Sequence, residues 1–142
     1  YNIVYGVPVL NTTHTKTQYF GSDNVSVVSA TDTTTKYTYG LVNNMVKILS
    51  TVETGVTTMP TVDAAGEHPT TKTMTTTYTY DANGYYDTVA GTGTETGWQY
   101  ETNGFVYPYD ATITVTYEIK LDSPLVKTTE EHKTYKSSES TN

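Results

Sequence analysis

The chain has no cysteine and no arginine among its 142 residues, only five prolines, and no apolar run long enough for a membrane span. Each absence removes something. Without cysteine, no disulfide can staple the fold and no thiolate can hold zinc or attack a substrate. Eight lysines stand against fifteen acidic residues, for a formal charge of −7. That balance disfavours any role requiring a phosphate backbone to be neutralised, so no nucleic-acid partner is expected. Without ~18 consecutive apolar residues, nothing reads as a spanning helix.

What is present is threonine, 33 residues of it, beside 14 tyrosines. Threonine is stiff at its branched Cβ, fits a pleated strand and shows a hydroxyl to water. In ATITVTYEIKL (111–121), Thr112, Thr114 and Thr116 alternate with Ile113, Val115 and Tyr117. This is the period-two signature of a half-buried strand. Aromatic and β-branched residues are too abundant for a disordered chain. The length suits one domain that buries roughly 68–70% of its unfolded surface.

The expected fold class is all-β, an antiparallel β-sandwich of Ig-like or jelly-roll type. Three parts are expected: an N-terminal strand at 1–10, a sandwich at 11–124, and an edge strand with a polar tail at 125–142. The first part, YNIVYGVPVL, is apolar on both faces of an extended strand: Ile3, Tyr5, Val7 and Val9 on one, Val4 and Leu10 on the other. A strand greasy on both sides is usually covered on both sides. It reads either as an ordinary first strand or as one that docks in a neighbouring subunit. Pro8 lacks an N–H and argues for a strand end or a sheet edge there.

Further along, Val25 to Ala30 and TTTKYTYG (33–40) read as two strands separated by a turn at Thr31-Asp32-Thr33. LVNNMVKILSTVE (41–53) breaks the pattern, since Leu41, Val42, Met45, Val46, Ile48, Leu49 and Val52 recur at helical spacing. A short helix near 41–52 and a buried strand are both open readings. Asp81-Ala82-Asn83-Gly84 and Asn103-Gly104 carry hairpin-turn chemistry. AGTGTETG (90–97) reads as a mobile, glycine-spaced loop.

Catalytic chemistry finds little purchase. His14, His68 and His132 lie far apart and outside any triad motif, so no enzyme is expected. No cofactor is expected either. Asp81, Asn83, Gly84 and Asp87 faintly resemble the start of a calcium loop, but without its full acidic ladder or late glutamate, and a hairpin turn explains them better. Sequons begin at Asn11 and Asn24. With 41 serines and threonines in the chain, chance alone supplies about two, so they permit N-linked glycan without arguing for it. Trp98, Tyr100, Tyr107 and Tyr109 fall near one hairpin and could form an aromatic surface that stacks on sugars. Lys72 or Lys120 could enter an internal isopeptide crosslink, if a carboxylate sat beside it in a dry core.

The two-sided apolar strand IVYGVPVL, the Thr/Tyr/Asn-rich sandwich behind it, and the lack of cysteine and arginine together resemble the subunits of archaeal extracellular filaments. These are the threads and bundling pili built by donor-strand complementation. The resemblance implies a homopolymer in which the N-terminal strand of one subunit (Ile3, Val4, Tyr5, Val7 and Val9) fills a groove in the next. It also implies an extracellular or cell-surface location, the mature chain starting after signal-peptide removal. Pro8 departs from the scheme by interrupting main-chain pairing. Two other readings fit the composition: a carbohydrate-binding or adhesin module, and a β-sandwich viral capsid or appendage protein.

Overall fold

The computed structural model describes residues 1–102, 104–136 and 139–140. Asn103, half of the expected Asn103-Gly104 turn, and residues 137, 138, 141 and 142 of the expected polar tail lie outside the described residues. The strands are β1 (Asn2–Val4), β2 (Val7–Val9), β3 (Thr12–Phe20), β4 (Val27–Val42), β5 (Met45–Thr58), β6 (Thr70–Tyr80), β7 (Tyr86–Tyr100), β8 (Phe105–Lys120), β9 (Ser123–Tyr135) and β10 (Glu139–Ser140). The described residues include no helix, hence none long and apolar enough to cross a membrane.

All pairings are antiparallel, and the all-β class expected from the alternation is what the structure shows. β3 to β9 form a meander in sequence order, with β10 added beside β8, and β1–β2 form a separate two-stranded sheet. Each strand of the meander pairs with its sequence neighbour. The described strands therefore lack the crossed connections of an Ig or jelly-roll topology. Register shifts at Tyr19/Phe20, Thr38/Tyr39, Thr79/Tyr80 and Thr116/Tyr117 bend the long strands.

Alternation gives the sheet two unlike faces. The inner face carries Tyr37 on β4, Met74 and Tyr78 on β6, Val89 on β7, and Tyr109, Ala111 and Ile113 on β8. Of these, Val89, Tyr109, Ala111 and Ile113 are buried. On the outer face, three threonines from each of β6 and β7 and two from β8 stand in register: Thr71–Thr96, Thr73–Thr94–Thr112 and Thr75–Thr92–Thr114. Those on β7 and β8 are exposed. On β7 and β8 the threonines thus mark the wet side, whereas Thr31, Thr33 and Thr35 of β4 share the inner face with Tyr37.

Two local expectations are corrected, and the choice left open at 41–52 is decided for strand. Residues 41–52 are not helical: Asn43 and Asn44 adopt φ of 50° and 61° and join β4 to β5 as a tight hairpin. The helical spacing arose from two apolar strand ends folded together, and asparagine tolerates the left-handed region the turn requires. Thr31-Asp32-Thr33 is no turn, because β4 runs through it with Asp32 paired to Lys16 and Val56. Residues 90–97 are no mobile loop but the centre of β7. Their glycines lie beneath neighbouring side chains: a Cβ on Gly93 would strike Met74 Sδ and the Thr73 carbonyl, and one on Gly97 would come 2.5 Å from Tyr109 Oη. Glycine is the residue that lets Met74 and Tyr109 lie across the sheet.

β9 ends opposite Pro108 of β8, and pairing with β8 resumes in β10 at Val106 and Phe105. The Lys136 amide donates to the Pro108 carbonyl at 2.8 Å. The Pro108 nitrogen faces the same side with no proton to give, so the β8–β9 ladder is interrupted there.

Candidate functional site: the apolar ends of the sheet

Residues 1–10 fold back on themselves rather than forming one extended strand. Tyr5 (φ 49°) and Gly6 (φ 77°) make the turn, and Asn2, Ile3 and Val4 pair with Val9, Pro8 and Val7. Two consecutive positive φ values define a type I′ turn, whose twist suits a two-residue hairpin. In that geometry Val4–Val7 is a hydrogen-bonded pair and Ile3–Pro8 a non-bonded one, so the missing N–H of Pro8 costs the hairpin nothing. Proline thus sits where a hairpin tolerates it.

The hairpin leaves the sheet at the start of β3. The Tyr37 amide donates to the Asn11 carbonyl at 3.1 Å, and the Tyr39 hydroxyl donates to the Leu10 carbonyl at 2.7 Å. Beyond that anchor its apolar side chains meet solvent: Ile3 and Tyr5 are each 66% exposed, and Tyr1 and Val7 are exposed as well, while Val4 and Val9 are half-buried. The same end of the sheet shows Leu41, Met45, Tyr85, Leu121, Leu125 and Val126 to water. The opposite end does likewise with Tyr19, Phe20, Val25, Met59 and Val62. Exposed apolar residues thus gather at both ends, with Val52 and Val56 of β5 exposed between them.

Loop 59–69, between β5 and β6, shapes the far end. Asp63 is buried, and its carboxylate accepts the amides of His68 (2.7 Å) and Glu67 (3.3 Å) and faces His68 Nδ1 at 3.3 Å. Burial pushes this carboxyl up, but the hydrogen bonds from His68 and Glu67 outweigh it and hold it below the ordinary aspartate range. The loop is thereby fixed over β7: the His68 ring meets Trp98 edge-on at 4.5 Å, and the Tyr100 hydroxyl donates to the His68 carbonyl. Beneath it Val106 is 1% exposed. A cleft of about 250 Å³, lined by Val62, Tyr100, Glu101, Thr102 and Val106 among others, opens between this loop and the β7–β8 turn.

The four aromatic residues near that turn do not form one surface. Trp98 pairs with Pro108 and Tyr100 with Val106, whereas Tyr107 faces Gln99 and Tyr109 faces Gly97. Alternation therefore puts Trp98 and Tyr100 on the outer face under loop 59–69, and Tyr107 and Tyr109 on the inner face. Tyr109 is buried, its hydroxyl donates to Glu95 Oε1 at 2.8 Å, and Lys133 Nζ stands 4.5 Å over its ring. Burial, then the bond to Glu95, pushes this phenol well above its ordinary range. Gly97 opposite Tyr109 was the only clue in the sequence to this packing.

The remaining candidates fall in separate places. Asn11 is exposed between the hairpin and β3, and Asn24 is exposed in the β3–β4 turn at φ 56°. Both sequons are sterically open. Beside Asn24, the Asp23 carboxylate accepts the Ser26 hydroxyl and the amides of Val25 and Ser26, and is pulled down to about 2, chiefly by that hydroxyl. Asp81 spends one oxygen on the amides of Asn83 and Tyr85, the work of a hairpin turn. No group of three His, Asp or Glu side chains is gathered as a metal site among the described residues. His14 lies on β3, 3.3 Å from Asp32, His68 in loop 59–69 and His132 on β9. Lys72 and Lys120 are exposed, so neither has the dry surroundings an isopeptide bond needs.

The whole chain exposes 9272 Å², against about 7,200 Å² expected of a folded monomer of this mass. Compared with protein-family models, curated proteins and solved structures, the chain matches none of them.

Proposed function

We propose that the chain is a structural subunit of an extracellular filament, polymerising head to tail by lodging its N-terminal segment in the next subunit. One observation carries this reading: the most apolar segment of the chain, residues 1–10, lies outside its own sheet with Ile3 and Tyr5 largely exposed. Soluble monomers rarely leave such a patch uncovered unless something else covers it. The surplus of roughly 2,000 Å² over a globular monomer is of the size that stable interfaces bury.

Covering the exposed Ile3, Tyr5 and Val7 at ~1.5–3 kcal/mol each supplies about 4–9 kcal/mol gross per joint. The type I′ hairpin has already met part of the ordering cost, so more of that gain survives. A joint between unlike surfaces does not close on itself and yields an open fibre. Glycan at Asn11 and Asn24 is compatible with the scheme, since both side chains are open to solvent. An aromatic sugar-binding platform is not favoured, because alternation divides Trp98 and Tyr100 from Tyr107 and Tyr109.

The test is deletion of residues 1–10. Electron microscopy and light scattering of the full chain should show filaments, and the truncated chain should remain monomeric with an unchanged β-sheet circular dichroism spectrum. Filaments that persist after the deletion would refute the reading.

A further inference from the structure

We infer that the acceptor for the N-terminal hairpin is the cleft at the far end of a second copy of this chain, with Tyr5 of one subunit entering between Val62 and Tyr100 of the next. The inference rests on the filament reading and specifies its contact surface.

Chain geometry puts the two surfaces at opposite ends. β3 starts beside the hairpin and runs away from it, and β7 runs the same way from Tyr86 to Tyr100, so the cleft lies where the strands finish. β8 spans 16 residues, which at ~3.4 Å per residue places the ends about 50 Å apart. The ten-residue segment already ends as a hairpin three residues deep on each side and cannot reach its own cleft. A second copy stacked along the strand axis can.

The chemistry agrees. Segment 1–10 contains no charged side chain, and the cleft offers apolar Val62, Val106 and the Tyr100 ring, with Glu101 at its edge. Tyr5 stands at the hairpin tip, where a body that is apolar and a hydroxyl that is polar lead the approach. Its ring can displace water from Val62 while its hydroxyl donates to the Glu101 carboxylate. A cleft of about 250 Å³ holds one side chain of this size rather than a whole strand. The loop that forms one wall is held by Asp63 and His68, so the cleft is preformed.

The absence of native cysteine makes the test clean. In the full chain carrying Val7→Cys and Val62→Cys together, with Tyr5 kept, oxidation should produce a ladder of covalent multimers on a non-reducing gel, and neither single variant should do so. A second variant, Val62→Glu, should abolish filaments while leaving the thermal unfolding midpoint within ~2 °C of the parent. Filaments visible by microscopy without a ladder in the double-cysteine chain, or filaments that survive Val62→Glu, would overturn the cleft as acceptor while leaving the filament reading intact. Absence of filaments in the parent chain would overturn both.

Discussion

Segment 1–10 holds seven apolar or aromatic side chains and stands outside the sheet, whereas residues 90–97 hold three glycines, three threonines, a glutamate and one alanine and run through its middle. By hydropathy alone their positions should be exchanged. The difference lies in what each finds across the strand. β7 has Met74 on one side and Tyr109 and Val115 on the other, and its glycines leave room for them to lie flat. The N-terminal segment has only itself to pair with, and a three-residue ladder has no second layer to press against. Burial follows neighbours more than composition.

The largest effect expected from testing this contrast is at Gly93. A valine there must displace Met74 and the Thr73 carbonyl, and overpacking combined with a main-chain shift should cost about 3 kcal/mol. Urea unfolding of Gly93→Val measures it, and a loss below ~1 kcal/mol would mean that β7 is not tightly covered.

A smaller effect is expected at Tyr109→Phe, which keeps the ring over Gly97 but removes the donor to Glu95. The loss should be about 1–2 kcal/mol; a neutral result in the same assay would show that the ring, not the hydroxyl, provides the cover.

The loop wall of the cleft should respond to acid. The folded pKa of Asp63 is depressed, so its contribution is whole above the unfolded value of ~3.9 and is lost as pH falls through the lower folded value. Trp98, the single tryptophan, reports the change, because release of His68 exposes it. Acrylamide quenching should rise below that value, and quenching that stays flat from pH 7 to pH 2 would show that Asp63 does not hold the loop.

The smallest effect should come from the hairpin. Replacing Ile3 and Val7 by serine should shift the stability of the sheet by less than ~0.5 kcal/mol, since neither side chain is packed against it. A larger loss would mean that the segment supports its own sheet and is not reserved for a neighbour.

Much of the architecture was legible without coordinates. Alternating threonines marked β8, and Asp81-Ala82-Asn83-Gly84 marked a hairpin turn. Asn43-Asn44 carried the same signal and was overshadowed by apolar residues on both of its flanks, which mimic helical spacing when a hairpin is read as one line. Residues 90–97 misled for the converse reason: glycine at alternate positions of a strand looks like loop until the covering side chains are known. The candidate site divided in the same way. The apolar character of residues 1–10 was evident, while its turn at Tyr5-Gly6 was not, because tyrosine is an uncommon choice for a positive φ. The four aromatic residues were visible, but their two-and-two division depends on register.

The sequence by itself determined the β class and several of the turns, because backbone preference and turn chemistry are settled between residues next to each other in the chain. The tertiary structure alone decided which glycine lies under which side chain, which aromatic residues share a face, and that residues 1–10 remain outside. Those depend on how strands separated by tens of residues align, and a shift of one residue in that alignment exchanges the two faces of a strand.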